Sequence, residues 1–245
     1  MKFETYVASK FRKSYSYKNT VSSPIIKISV VSIAIGIIMM IISISSSVGL
    51  QKTIETKISS FFGHISISNF ENNTSFSSLS PIDDKLDYKI LENNSQIVHF
   101  QNVAYKPGLI VNENSFEVIV FKGISSDFNW THFTEYLQKG KILSINETVS
   151  NQVIISEYLS KKLSLHLNDK FKATFFKPNS SLIPNERIFE VAGIYNSGLV
   201  EFDETYFLGD LRHIQKMNKW NLNQFGNVEI FLKNYSELEN VSNHI

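Results

Sequence analysis

Three carboxylates in four positions, Glu201, Asp203 and Glu204 around Phe202, are the densest group of potential metal ligands in this 245-residue sequence. Carboxylate oxygens are what calcium takes. The stretch lacks the alternating oxygen ligands and the glycine of a calcium loop, so it reads as a solvated turn. Asp83-Asp84 could also hold a cation, but Pro81-Ile82-Asp83-Asp84 resembles a helix start, and acids in a first helical turn are explained by the helix dipole. The six histidines (64, 99, 132, 166, 213, 244) fall into neither H-x-x-x-H nor H-E-x-x-H spacing, so no zinc site is expected. Cysteine is absent, which removes disulfides, thiolate metal sites and a cysteine nucleophile. No G-x-x-x-x-G-K-[ST] phosphate loop and no G-x-S-x-G nucleophile elbow occurs. Trp130 and Trp220 sit amid apolar residues and read as core. The residues alone point to a binding or mechanical domain and not to an enzyme, with no catalytic, cofactor or metal site of its own.

The elements that would carry such a domain are organised around one apolar run. Net charge is +1 overall, which gives no electrostatic case for nucleic acid. Residues 1–27 hold Lys2, Lys10, Arg12, Lys13, Lys18 and Lys27 against the single acid Glu4, so this head is +5 and the remainder −4. From Ile28 to Leu50 follow 23 residues without a charge. At 1.5 Å per residue they span about 34 Å, enough for a hydrocarbon core of about 30 Å. In lipid the backbone must satisfy its own hydrogen bonds, so this run is expected to be a transmembrane helix. A cleaved signal peptide would have a shorter apolar region and an A-x-A-like site. The basic lead-in predicts a cytoplasmic N-terminus and residues 51–245 on the far side of the membrane. Ser29, Ser32, Gly36 and Ser43 form a side of small residues that would let another helix approach closely.

Residues 3–18 place Phe3, Tyr6, Val7, Lys10 and Phe11 at helical spacing, as for an amphipathic helix on the inner membrane surface. Leu50, Ile54, Ile58 and Phe61/Phe62 continue a helical stripe, predicting a stalk over 51–62 that Gly63 stops. His64–Ser68 alternates as a strand. Val98–Val111 and Ser115–Gly123 read as strands, with Pro107-Gly108 a turn or bulge. A short helix is expected at Phe133–Leu137. Val153–Leu167 starts as a strand and becomes a helix. Strands at Asp169–Phe176, Arg187–Tyr195 and Glu204–Leu208, a helix at Leu211–Trp220 and a strand at Asn227–Leu232 follow. The order has no regular βαβ alternation, so the predicted class is α+β. Ser236-Glu237-Leu238-Glu239 looks like a capping box, and the sequence stops nine residues after Ser236. We therefore expect the N-terminal piece of something longer.

Taken in order, these segments resemble the N-terminal part of FtsX-like (MacB-like) ABC-transporter permeases, in particular lipoprotein-releasing permease subunits of a Bacteroidota-like branch. The residues that carry the resemblance are Val7–Phe11, the span motif Ile28–Gly36, Val48-Gly49-Leu50 with Gln51 and Glu55, and Phe62–Ile65. Phe121-Lys122-Gly123-Ile124, Ile154–Glu157 with Leu163 and Leu167-Asn168-Asp169, and Val191–Gly198 complete the set. Ser47-Val48-Gly49 stands where the family shows N-G-F.

The resemblance implies a four-helix permease whose first helix and most of whose periplasmic domain lie in this chain, in the bacterial inner membrane. It implies two periplasmic lobes, mapped to 63–150 plus 221–245 and to an inserted 153–220. It also implies an ABC ATPase partner that binds the ATP, a second permease subunit (the same or a different chain), contact with membrane lipid, and no nucleic acid. In the lipoprotein-releasing subunit a loop of the inserted lobe docks a periplasmic lipoprotein carrier. The matching segment here holds Lys177, Pro178, Leu182, Ile183, Pro184 and Arg187, with two prolines stiffening an apolar tip. Efflux, control of a cell-wall hydrolase, or a single-span sensor or adhesin are the other roles such a chain could have.

Overall fold

The computed structural model describes residues 3–14, 22–72, 77–78, 80–82, 86–112, 115–131, 133–176 and 184–245. Two compact units divide the chain, Met1–Glu55 and Thr56–Ile245. The first holds helix α1 (Phe3–Ser14) and most of α2 (Ser22–Phe62). In α1, Phe3 and Tyr6 are exposed and Lys10 Nζ stands 5.7 Å from the Tyr6 ring centre. At 41 residues α2 is long and apolar enough to cross a membrane, and Ile28–Leu50 present their side chains outward along its whole length. An all-round apolar surface suits lipid, and the β-branched residues that would be middling helix formers in water are held helical there.

The Thr56–Ile245 unit is built on nine strands. They are β1 (Ile65–Ser68), β2 (Ile97–Asn112), β3 (Ser115–Ile124), β4 (Leu137–Gly140), β5 (Gln152–Ser156), β6 (Lys170–Phe175), β7 (Asn185–Tyr195), β8 (Tyr206–Asp210) and β9 (Asn227–Leu232). Short helices α3 (Tyr88–Asn93), α4 (Glu157–Lys162), α5 (Val200–Thr205), α6 (Arg212–Asn218) and α7 (Leu238–Ser242) lie between and after them. The sheet order is β1-β9-β2-β3-β8-β5-β7-β4, and β6 bridges β7 back to β2. Six strands, β2-β3-β8-β5-β7-β6, therefore close into a ring. Its interior is filled by Ile110, Phe121, Phe175, Phe189 and Phe207, with the Phe121 and Phe207 rings stacked at 4.8 Å. Strand β2 makes closure possible because it is long enough to use two partners on one edge. Ile97–Val103 pair with β9, and Gly108–Ile110 pair with β6. The class is α+β, with mixed parallel and antiparallel pairs.

Pro107-Gly108 is neither a turn nor a bulge, and β2 runs through it without interruption. Proline lacks an N–H, and it sits where the β2 edge changes partner, between the last β9 pair at Val103 and the first β6 pair at Gly108. A Cβ on Gly108 would stand 2.6 Å from Cδ1 of Phe175, so glycine admits the phenyl ring that closes the barrel. Glu201–Glu204 is helical as part of α5, with Phe202 buried, and the strand expected from Glu204 begins at Tyr206. Burial of Phe202 outweighs the polar composition around it. Phe133–Tyr136 is a 3-10 turn and Leu137 already belongs to β4. Ser236 does not cap a helix; it lies in the 3-10 turn Tyr235–Glu237, and α7 opens at Leu238 without a side-chain cap. The segments 63–150 and 153–220 are joined strand to strand through β3–β8 and β2–β6.

Candidate functional site at the root of the long helix

The last turn of α2 enters the Thr56–Ile245 unit as an amphipathic segment ending in Phe61-Phe62-Gly63. Gly63 has φ +70° and its N–H donates to the Ser59 carbonyl at 2.8 Å, a left-handed helix stop. A Cβ there would lie 2.8 Å from the Ile230 oxygen, so only glycine lets the chain turn this close to β9. The next residue locks the exit, because His64 N donates to Ile230 O at 2.7 Å. Phe61 is buried among Phe133, Tyr136, Tyr195 and Phe202 at ring separations of 5.2–5.8 Å. Phe62 packs on Phe202, Tyr206 and Tyr105 at 4.9–5.9 Å.

Beneath these rings lies a sealed ionic cluster. Lys122 (β3) donates to both oxygens of Glu229 (β9), at 2.8 and 2.9 Å, and to the main-chain oxygen of Phe61. The three ammonium donors thus meet two carboxylate oxygens and one otherwise unmatched helix-end carbonyl. A cation at a helix C-terminus is favoured by the helix dipole. Glu229 also accepts from Gln101 Nε2 at 2.7 Å and from the Tyr105 hydroxyl, both on β2. Gln101 Oε1 in turn accepts from Asn129 N at 2.9 Å. The ammonium stands 5.1–5.6 Å from the ring centres of Phe62, Tyr105 and Phe128. Burial pulls the Lys122 ammonium below the usual lysine value, and the Glu229 carboxylate pulls against it. Burial, then the neighbouring Glu229 charge, push the Tyr105 phenol well above its ordinary value.

A second tie uses the carboxylates first considered as calcium ligands. Asp203 accepts from Ser197 N at 3.0 Å, Ser197 Oγ at 2.8 Å and Gly198 N at 3.2 Å, which shapes the 196–199 loop. That loop offers the Ser197 carbonyl to Lys57 Nζ of α2 at 2.9 Å. Glu201 and Glu204 stay exposed, and among the described residues no group of three acids or histidines is placed to hold a metal. On the other side of Phe62 lies a cavity of about 190 Å³, lined by Tyr105, Tyr206, Ser66, Ser68 and Asn227.

Of the residues proposed to dock a carrier, Lys177, Pro178, Leu182 and Ile183 lie outside the described residues, as do Asp83 and Asp84. Pro184 is exposed, and Arg187 lies within β7, paired with Ala173 of β6, and donates to the Glu186 oxygen at 2.8 Å. Ser29, Ser32, Gly36 and Ser43 lie exposed on α2, with the Ser29 hydroxyl turned onto the Ile25 carbonyl at 3.0 Å and nothing within 4 Å of a Cβ on Gly36. The sequence reading did not single out Lys122, Glu229, Gln101 or Tyr105 as a site. Their signal was a charge in the middle of an apolar strand, Val-Phe-Lys-Gly-Ile and Val-Glu-Ile-Phe, since lysine and glutamate are buried only when paired.

No protein-family model matches the sequence. The chain is similar to the lipoprotein-releasing system transmembrane protein LolC of Buchnera aphidicola, 27% identical over 213 residues, covering 85% of this chain and 51% of that protein. The chain thus spans about half the length of the curated relative it matches. Among solved structures it is similar to the extracellular domain of the ABC-type transporter YknZ from Gram-positive bacteria (15% identity, TM-score 0.46, 72% of this chain and 88% of that one). It is also similar to the periplasmic region of MacB from Actinobacillus actinomycetemcomitans (14% identity, TM-score 0.44, 73% and 82%).

Proposed function

We propose that this chain, which belongs with the MacB/FtsX-like ABC-transporter permeases, is the first-helix and outer-domain part of a subunit that releases lipid-anchored proteins from the inner membrane. In this reading α2 crosses the membrane with its N-terminus in the cytoplasm, and Thr56–Ile245 works in the periplasm. A separate ATPase binds and hydrolyses ATP, and a second permease subunit completes the transport path. The observation that carries the reading is the match to LolC over 85% of the chain, a span too long to fit inside Thr56–Ile245 alone.

The α2 root supplies a physical route for the coupling. Work done on a membrane helix reaches an outer domain only if the joint is stiff. Here the final turn is held by two aromatic anchors, a glycine stop and a cation that binds the helix-end carbonyl and the sheet together. Such a joint resists local unfolding because Phe61, Lys122 and Glu229 are buried and the charged pair is fully partnered.

The test is reconstitution of the protein with its ATPase in proteoliposomes holding a lipidated protein, followed by an assay of ATP-dependent release to a soluble acceptor. Release that depends on ATP and on an intact α2 root is the expected result. If an ATPase copurifies but no lipidated cargo leaves the bilayer, the permease reading stands and the cargo is wrong. If no ATPase assembles with the protein, the proposal fails as a whole.

A further inference from the structure

We infer that the cavity beside the α2 root binds a neutral polyhydroxy group, the sugar ring of a glycan or of a glycolipid headgroup. The inference rests on the reading of that root as the mechanical joint only for its consequence, not for the binding itself. The cavity lies over the β1–β9–β2 side of the sheet, where Ser66 and Ser68 face the same side as Asn227. Its other walls are the rings of Phe62 from the end of α2, Tyr105 and Tyr206, together with the polar residues Asn72, Ser77 and Ser78.

The composition of these walls selects the ligand class. Each polar group among the described lining residues is a hydroxyl or an amide, and none carries a charge. Phosphate or carboxylate would enter without a cationic partner, because the nearby Lys122 spends its donors on Glu229 and Phe61. An ammonium ligand would likewise find the Glu229 carboxylate already taken by Lys122, Gln101 and Tyr105. Hydroxyls can donate and accept at once, so they match hydroxyl ligands in either sense. The Ser68 and Tyr206 hydroxyls have no hydrogen-bond partner in the protein among the described residues, so two sites are left for a ligand. Aromatic rings add apolar contact for the C–H face of a sugar. A peptide main chain would pair with a strand edge, whereas this cavity meets the strands through their side chains. The space corresponds to about six waters at about 30 Å³ each, which admits one sugar ring.

Occupancy would bear directly on the joint. Phe62 is the last residue of α2, and Tyr105 is both a cavity wall and a hydrogen-bond donor to Glu229. A ring seated here braces the helix end against the sheet.

The experiment is fluorine NMR on the full chain, with its 10 tyrosines replaced by 3-fluorotyrosine, in phosphatidylcholine nanodiscs free of sugar detergents. Methyl glucoside is the soluble probe, its permethylated analogue the control without O–H groups, and nanodiscs doped with monoglucosyl diacylglycerol the second arm. We expect the Tyr105 and Tyr206 resonances to shift saturably, with half-saturation at about 1–10 mM for so small a ligand. Tyr206→Phe, followed at Tyr105, weakens the binding about fivefold by removing one hydroxyl, and Ser68→Phe, which fills the cavity, abolishes it. A shift with soluble glucoside assigns a glycan, and one confined to the doped nanodiscs assigns a lipid headgroup; both support the inference. No saturable shift in either arm overturns it, as does an equal shift from the permethylated analogue or in the Ser68→Phe chain. Since none of these readouts involves ATP or cargo, loss of the binding leaves the transport reading standing, and loss of the transport reading leaves the binding measurable.

Discussion

Lys122 Nζ stands 2.8 Å from Glu229 Oε1 with 2% and 0% of the two side chains exposed, and the same ammonium holds the oxygen of Phe61, 61 positions earlier. Three distant stretches, the helix end, β3 and β9, therefore share one buried charge pair. A pair of this kind adds little net stability over apolar residues of the same volume, but breaking it from one side strands a charge. Its value in this fold lies in position. It fixes where α2 ends relative to the sheet that follows.

Lys122→Met is expected to destabilise the Thr56–Ile245 unit by about 3–5 kcal/mol, because Glu229 is left buried without its cation. Glu229→Gln costs less, since an amide can still accept from Lys122. The double variant Lys122→Met with Glu229→Leu recovers much of the loss shown by the Lys122→Met and Glu229→Leu single variants. Thermal melts of the detergent-solubilised chain, followed by circular dichroism, give the comparison. Purely additive effects of the two substitutions would show that the residues are not coupled.

Much of this arrangement was open to sequence reasoning, and the omissions have a common cause. The membrane helix, the Gly63 stop and the strand Asn227–Leu232 follow from local patterns: an uncharged apolar run, a glycine after a helical stripe, and β-branched and aromatic residues in sequence. The joint depends instead on pairings across the chain. Nothing local says that Lys122 will meet Glu229 or that the β2 edge will change partner at Pro107. The same holds for Asp203, whose acidic neighbourhood suggested solvent. Its role as the acceptor that shapes the 196–199 loop is visible only once Phe202 is buried.

Glycine substitutions separate the joint from its surroundings. Gly63→Ala forces a left-handed alanine against the Ile230 oxygen and should cost about 2–4 kcal/mol. Gly198 also has positive φ (+69°), but a Cβ there first meets the flexible end of Lys57 at 3.0 Å, so Gly198→Ala should cost about 1 kcal/mol. The two melts side by side are the measurement, and equal losses would contradict the close approach at Gly63.

The small-residue side of α2 calls for a different readout. A Cβ on Gly36 meets nothing within 4 Å, so Gly36→Leu is expected to leave the melting of the chain unchanged. If Ser29, Ser32, Gly36 and Ser43 seat a partner helix, the same substitution lowers recovery of a second permease subunit in tandem affinity purification by about tenfold, the effect of a loss of about 1.4 kcal/mol. Undiminished recovery would remove this face from the interface.

Three tyrosines around the joint set its response to alkali. Burial raises the phenols of Tyr105 and Tyr195 well above the usual value and that of Tyr206 more modestly, with Glu229 or Asp203 charge adding to it. A group whose folded pKa exceeds its unfolded one contributes stability that is complete below the unfolded value, about 10 for tyrosine, and is lost as pH rises toward the folded value. Lys122 works in the opposite sense, since burial lowers its pKa and the unfolded chain then binds more protons below about pH 10.5. One such group stands against three, so the domain should lose stability as pH climbs past about 10. Absorbance at the tyrosinate band should show the Tyr105 and Tyr195 phenols ionising only with unfolding, after the exposed ones and after Tyr206, whose hydroxyl faces the cavity. Tyr195→Phe, which removes a hydroxyl donating to the Tyr206 carbonyl at 2.8 Å, should flatten the pH slope while lowering the melting point at neutral pH by the worth of about one hydrogen bond. A domain whose melting point holds steady through this range, with all of its tyrosines titrating together, would show that these rings are not sealed around the helix end.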